Sequence, residues 1–212
     1  MIQELWREDT TEKSWQVLND LRNLADFILI GGWAVYLWTH KLKSRDIDLC
    51  INQENFYTLQ QQLLQQNYAV RRNVRLMKFE AIIDTVEVDI YTPFLSKLVI
   101  PCQDIINQKL YASIEHFKTA QPEALLLLKA QAAQQRWHSE KGAKDRTDII
   151  SLLQHADIKQ GALKQMLKKY DPQNTLKNII KRTITESRAE YKYLNLTYEK
   201  HGVRIKKAYE HL

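Results

Sequence analysis

The sequence predicts an α+β fold: a small mixed β-sheet flanked by helices, followed by a helical C-terminal region. Three observations predict it. Up to Pro93, short apolar runs bounded by glycines or turn residues alternate with segments of helical period. Acidic and apolar residues alternate at period two in Asp46–Ile51 and Val86–Tyr91, as in strands with one polar face. After Pro101 the pattern reads as helix alone.

The elements follow in order. Thr10 to Leu24 is helical, with Trp15, Leu18, Leu21 and Leu24 at spacings of three. Ala25–Ile30 is short and apolar and stops at Gly31-Gly32, which suits a buried strand. Trp33–Trp38 is apolar almost all round, a short helix packed on a sheet. The polar link Lys41–Arg45 leads to the Asp46–Ile51 strand. Glu54–Gln66 is an amphipathic helix with Phe56, Leu59, Leu63 and Leu64 as its apolar stripe. Three strands follow, Tyr68–Arg72, Leu76–Ile83 and Val86–Tyr91. Asp84-Thr85 is a hairpin turn, and Pro93 ends the last strand.

Beyond Pro101, Asp104–Leu110 reads as one helix. Gln121-Pro122-Glu123 opens another, with proline and glutamate in the first turn. It runs through four leucines and Lys129 to about His138, and Lys141-Gly142-Ala143 breaks it. A further helix spans Asp145 to His155. Gly161 and Asp171-Pro172 punctuate a set of basic helices, and no internal repeat occurs. The expected division is a core over 1–100, a helical region over 101–156 that completes a site, and a basic helical extension over 157–212.

With 212 residues, 44% hydrophobic and 26% charged, the chain has the composition of a globular protein. No run approaches the roughly 20 apolar residues that span a bilayer, and the N-terminus lacks a signal pattern. Two cysteines without metal-ligand spacing argue against a disulfide scaffold or a zinc site. They suit a reducing cytoplasmic setting, with Cys50 a buried inert thiol. Residues 157–212 hold thirteen Lys and Arg against six Asp and Glu, although the whole chain is only +6. This tail is either a solvated basic surface or a face for a polyanion.

Asp46 and Asp48 point the same way from one strand, a few ångströms apart. Unpaired, they raise each other's pKa, and a hard divalent cation removes that cost. Mg²⁺ or Mn²⁺ suits such oxygen ligands. Glu87 and Asp89 share a later strand face, and either could be a third acid. For an isolated Asp-x-Asp, a merely solvated strand face is the ordinary explanation. Gly31-Gly32 alters the weighing. Glycines between a strand and a helix let phosphate approach backbone N–H groups at a positive helix end.

Gly31-Gly32, thirteen residues, Asp46-Ile47-Asp48 and a later strand acid together resemble the core signature of the DNA polymerase β-like nucleotidyltransferase superfamily. Arg45 fits a basic residue often found before the acidic pair. Downstream, Lys129, Arg136, Lys144-Asp145 and Asp148 are similar to the pattern of AbiEii-type nucleotidyltransferases, which include toxins of bacterial toxin–antitoxin systems. The match covers roughly residues 26–153. It implies transfer of a nucleoside monophosphate from an NTP such as ATP to an acceptor, with release of pyrophosphate. It implies Asp46, Asp48 and Asp89 at Mg²⁺ or Mn²⁺, with Asp89 also the general base. Gly31, Gly32, Arg45, Lys129, Arg136 and Lys144 would face the nucleotide. RNA, tRNA above all, is the implied acceptor, reached through the basic tail; a protein or small molecule is the alternative. An antitoxin is a further implied partner. From another class, a catalytically inactive protein could keep the fold to bind nucleic acid or a partner. Two departures stand out. Many members carry serine where Gly32 is, and arginine where Lys144 is, so a hydroxyl and a bidentate fork are missing.

Lys129, in a leucine-rich helix, either reaches phosphate or snorkels at the helix edge. Arg136, two turns on, would share its face. Asp145 reads as a helix cap, and Asp148 could orient Lys144. The six histidines show no ligand spacing. Trp137 adjoins Arg136 and could stack on a base, and Arg71, Arg72 and Arg75 either face a polyanion or line a solvated edge.

Overall fold

The computed structural model describes residues 6–211. Seven strands form one sheet: β1 (Ile28–Ile30), β2 (Ile47–Cys50), β3 (Arg71–Asn73), β4 (Lys78–Ile83), β5 (Val86–Tyr91), β6 (Tyr111–Ile114) and β7 (Phe117–Ala120). Their order is β3-β4-β5-β2-β1-β7-β6. The sheet is mixed, because β2 runs parallel to β5 and β1 parallel to β7, while the other pairs are antiparallel. The expected α+β architecture is present, with a helical C-terminal region after the sheet.

One row crosses the sheet at a single register: Arg71, Glu80, Asp89, Asp48 and Ile30. Residues in such a row share a face. Phe79 has the opposite parity and stacks on Phe56 at 4.4 Å between ring centroids. Helix α3 (Gln53–Gln65) therefore covers the face away from the acids. Trp15 of α1 (Glu8–Leu24) lies 5.7 Å from Phe117 and packs on that same far face. Val88, Ile90, Leu49 and Leu29 are fully buried there.

Beside the acid-bearing face pack α2 (Gly31–Thr39), α5 (Pro122–Gln135) and α6 (Glu140–His155). Strand β1 passes into α2 with no intervening loop. Leu125, Leu126 and Leu127 have no exposed surface, which explains the run of leucines in α5. The chain continues through α7 (Gln160–Tyr170), α8 (Thr175–Glu186), α9 (Ala189–Tyr193), a π-helical turn at Tyr198–Gly202 and α10 (Val203–Ala208).

Several expectations are corrected. The region after Pro101 is not helix alone, because α4 (Cys102–Asn107) is followed by the β6–β7 hairpin. The hairpin turn, Glu115-His116, takes positive φ at both residues without glycine or asparagine. Asp84-Thr85 does the same in the β4–β5 turn, which the flanking alternation made legible. Lys141-Gly142-Ala143 does not break a helix but lies inside α6; the break falls at residues 136–139, where the Ser139 side chain caps α6 by accepting from Gly142 N–H. Asp145 is consequently no cap. Gly161, expected as punctuation, lies inside α7. The thiols are not inert, because Cys50 and Cys102 form a disulfide joining β2 to the start of α4. That bond withdraws the cysteine-based argument for a reducing compartment. No helix of the described residues is long and apolar enough to cross a membrane.

Trp137, in the α5–α6 connection, is held between the guanidiniums of Arg146 and Arg182, 4.7 and 4.1 Å from its ring. Arg146 also pairs with buried Glu190 at 2.6 Å. The ring is thus a structural clasp between α6, α8 and α9.

Candidate active site

The acids come together through sheet register. Asp48 and Asp89 are partners on the parallel pair β2–β5, side by side on one face. Asp46 lies in the bend just before β2, two residues from Asp48. Of the two candidates for a third acid, Asp89 is the one beside Asp48; Glu87 is largely exposed and meets Lys141 at 3.5 Å.

Gly31 opens α2 with φ +75°, a left-handed conformation that other residues resist. A Cβ there would also collide with the Asp48 carboxylate. Two constraints therefore select glycine at the point where a helix N-terminus faces an acid. At Gly32 a Cβ would collide with the Ser44 hydroxyl. Ser44 thus places a hydroxyl in the space that a serine at position 32 would occupy.

A cavity of about 390 Å³ opens over this face, a size suited to a small ligand. Gly31, Asp48, Asp89 and Tyr91 line one side, and Lys129 and Arg136 the other. Trp6, Arg45, Asp46, Lys141 and Lys144 line a smaller adjoining cleft that shares Asp48, Lys129 and Arg136. Arg45 stands 3.9 Å over the Trp6 ring and 3.5 Å from Asp46.

Lys129 and Arg136 do share one site, but through α6. The Lys129 ammonium lies 3.2 Å from Asp145 and 2.8 Å from Asp148, and Arg136 Nε lies 2.7 Å from Asp145. Lys144 pairs with Asp148 at 2.5 Å. Both acids are 1% exposed. They form the buried base on which three cations are arrayed. Lys144 sits behind the glycine turn, its ammonium 3.7 Å from where a Gly32 Cβ would be.

The electrostatics follow from this burial. Desolvation, then the charges of Asp89 and Asp46, raise Asp48 to about 7 against the pull of Lys129 and Lys78. Among the described residues no side chain hydrogen-bonds or ion-pairs with Asp48. Burial likewise raises Asp89, opposed by Lys78, and holds the Tyr91 hydroxyl well above its ordinary value beside both acids. Burial works against the Lys129 ammonium, yet Asp148, Asp145 and Asp48 hold its pKa above the lysine norm. Burial pulls Lys144 below that norm, with Asp148 opposing.

Two residues of the site were missed in the sequence. Lys78 bridges Asp89 at 2.6 Å and Glu80 at 3.0 Å, and Lys141 meets Asp46 at 2.9 Å. Among the described residues, no group of three acid, histidine or cysteine side chains is arranged to hold a metal ion. The signal available for Lys78 is its i, i+2 spacing from Glu80 within the Leu76–Ile83 strand, which puts the two on one face. Lys141 offered none, because it was read as part of a helix break. Arg71 falls on the acid-bearing face and Arg75 lines the larger cavity.

No protein-family model matches the chain, and no curated protein matches it in sequence. Among solved structures, it is similar to the crystal structure of an antigenic nucleotidyltransferase-like protein from Paracoccidioides brasiliensis. The two are 20% identical with a TM-score of 0.47, over 80% of this chain and 93% of that one.

Proposed function

We propose that this chain is a metal-dependent nucleotidyltransferase of the polymerase β-like type, moving a nucleoside monophosphate from an NTP to an acceptor. The observation that carries the reading is the pairing of Asp48 and Asp89 in one sheet register, opposite Lys129 and Arg136 across the same cavity. The two-carboxylate pair Asp46 and Asp48 suits a hard divalent cation: Asp48 is half-buried beside two like charges and has no side-chain partner, a cost that such an ion relieves. Asp46 and Asp48 would hold Mg²⁺ or Mn²⁺, with Asp89 completing the acid set. When bound, the ion supplies positive charge to the phosphates and to the attacking oxygen.

The chain's own residues do the rest. Lys129 and Arg136 draw the triphosphate against the glycine turn and offset the charge that builds on departing pyrophosphate. Asp145 and Asp148 hold these cations in place, and Lys144 completes that buried base. Asp89 takes the proton of the acceptor hydroxyl. RNA is the favoured acceptor, because the excess of Lys and Arg over 157–212 suits a polyanion. A toxin restrained by a small partner protein is the setting that the AbiEii-type resemblance supports.

A second reading is favoured by one observation. Lys78 and Lys141 neutralise Asp89 and Asp46 without a metal, as expected of an inactive fold kept for binding. Incubation of the protein with Mg²⁺, each labelled NTP and total RNA separates the two. Label on RNA that is lost in the Asp46→Ala/Asp48→Ala double variant supports the enzyme. Absence of both NTP binding and transfer supports the binding protein, and transfer by the double variant removes the site assignment.

A further inference from the structure

The two lysines that meet the acids differ in how they are held. Lys141 reaches Asp46 at 2.9 Å and the largely exposed Glu87 at 3.5 Å from the first turn of α6, with its own side chain 37% exposed. Lys78 lies on β4, which is hydrogen-bonded to a neighbouring strand on either side, and its side chain is 11% exposed. Its ammonium sits between the Asp89 and Glu80 carboxylates at 2.6 and 3.0 Å. Glu80 is itself fixed by the Asn73 amide, which donates to it at 3.0 Å. Register places Asn73 opposite Lys78 and Glu80 opposite Asp89, so all four side chains rise from one face of three adjacent strands. Lys78 is therefore part of a closed, inward network anchored by Asn73, whereas Lys141 bridges its two acids on the solvent side.

We infer that the site takes one divalent cation, at Asp46 and Asp48, and that the Lys78 ammonium stands at Asp89 in place of a second. The inference rests on the nucleotidyltransferase reading above. A second ion at Asp89 would have to evict an ammonium that two carboxylates hold, and leave it in a cavity whose wall there carries further cations, Arg75 and Lys97. Burying an unpaired charge in that position is strongly unfavourable. Lys78 supplies the missing positive charge itself, without dissociation. The acid trio thus divides into an exchangeable half, whose counter-charge is a solvent-side lysine or a metal, and a permanently neutralised half. Each half has its own lysine, and only one of those lysines stands on the solvent side.

The test counts Mn²⁺ bound by the full chain, from the EPR signal of the free ion, with circular dichroism as the check of folding. The expected result is one ion per native chain and two per chain for Lys78→Met, which frees Asp89. Two ions on the native protein overturn the inference, and so does a single ion on a folded Lys78→Met variant. Asp89→Asn keeps the test decisive should Lys78→Met not fold: it should retain its one ion with affinity within about threefold of native, whereas a loss of about tenfold or more contradicts the assignment. No Mn²⁺ on native protein is a different failure, since it removes the metal-dependent reading together with this one.

Discussion

Asp48 and Asp89 face each other across two parallel strands with only Asp89 provided with a lysine. The chain therefore maintains one half-buried carboxylate in the cavity wall with no side chain ion-paired to it among the described residues, although Lys129 and Lys78 act on it from a distance. Such a group costs stability whenever it is ionised, and the cost is a measure of what a bound cation would return.

The sign of the resulting pH dependence is fixed. Asp48 is raised from 3.8 to about 7 in the folded protein, so the folded state holds the proton more tightly than the unfolded one. Its contribution is fully present below the unfolded value and is lost as pH rises through about 7. The metal-free protein should lose on the order of 1–3 kcal/mol through this group between about pH 4 and pH 8. Asp48→Asn should remove that part of the slope and raise the melting temperature at alkaline pH. Thermal melts across the range check it, and added Mg²⁺ should stabilise native protein but not the variant.

Lys129 and Arg136 should separate stability from nucleotide binding. Lys129 is 10% exposed between two buried acids, so Lys129→Met leaves them short of a cation and should cost about 3–5 kcal/mol. Arg136 is 42% exposed, and Asp145 keeps Lys129 when it is removed. Arg136→Gln should cost about 1 kcal/mol or less in stability while weakening NTP binding roughly tenfold or more. Denaturant unfolding beside equilibrium nucleotide binding distinguishes the two. Equal losses of stability in both variants would contradict the arrangement.

Ser44 and Gly32 should behave as a coupled pair. Gly32→Ser alone places a side chain on the Ser44 hydroxyl and should cost roughly 1–3 kcal/mol, as overpacking does. Adding Ser44→Gly should recover more than half of that. Additive losses in the double-mutant cycle would show that the two positions do not share one space.

Much of the site was legible because its parts are local and periodic. Alternation in Asp46–Ile51 and Val86–Tyr91 fixes which acids share a face, and the glycine pair marks the strand-to-helix step. What stayed hidden depends on tertiary register. Lys78 becomes part of the site only because β4 pairs with β5 so that Glu80 faces Asp89. Ser44 matters only because the connection before β2 folds back onto α2. The β6–β7 hairpin escaped because its turn residues, Glu115 and His116, lack the glycine or asparagine that usually betrays positive φ. Asp145 looked like a cap because the helix was taken to begin there; Ser139 starts α6 earlier, and Asp145 is buried as a counter-ion instead.

That late hairpin also sets an order of events for a chain emerging from a ribosome. Strand β1, which leads into the glycine turn, pairs with β7 through contacts ninety residues apart, such as Ile28 with Lys118. Until the hairpin is made, β1 is an open edge, with the hazard of mispairing that edges carry. Contacts of such long range form slowly. The carboxylates can reach their register before Lys129 and Arg136 have been synthesised. The nascent protein therefore passes through a stage in which its most costly charges stand without their cationic wall, and the docking of α5 after the hairpin is what ends it.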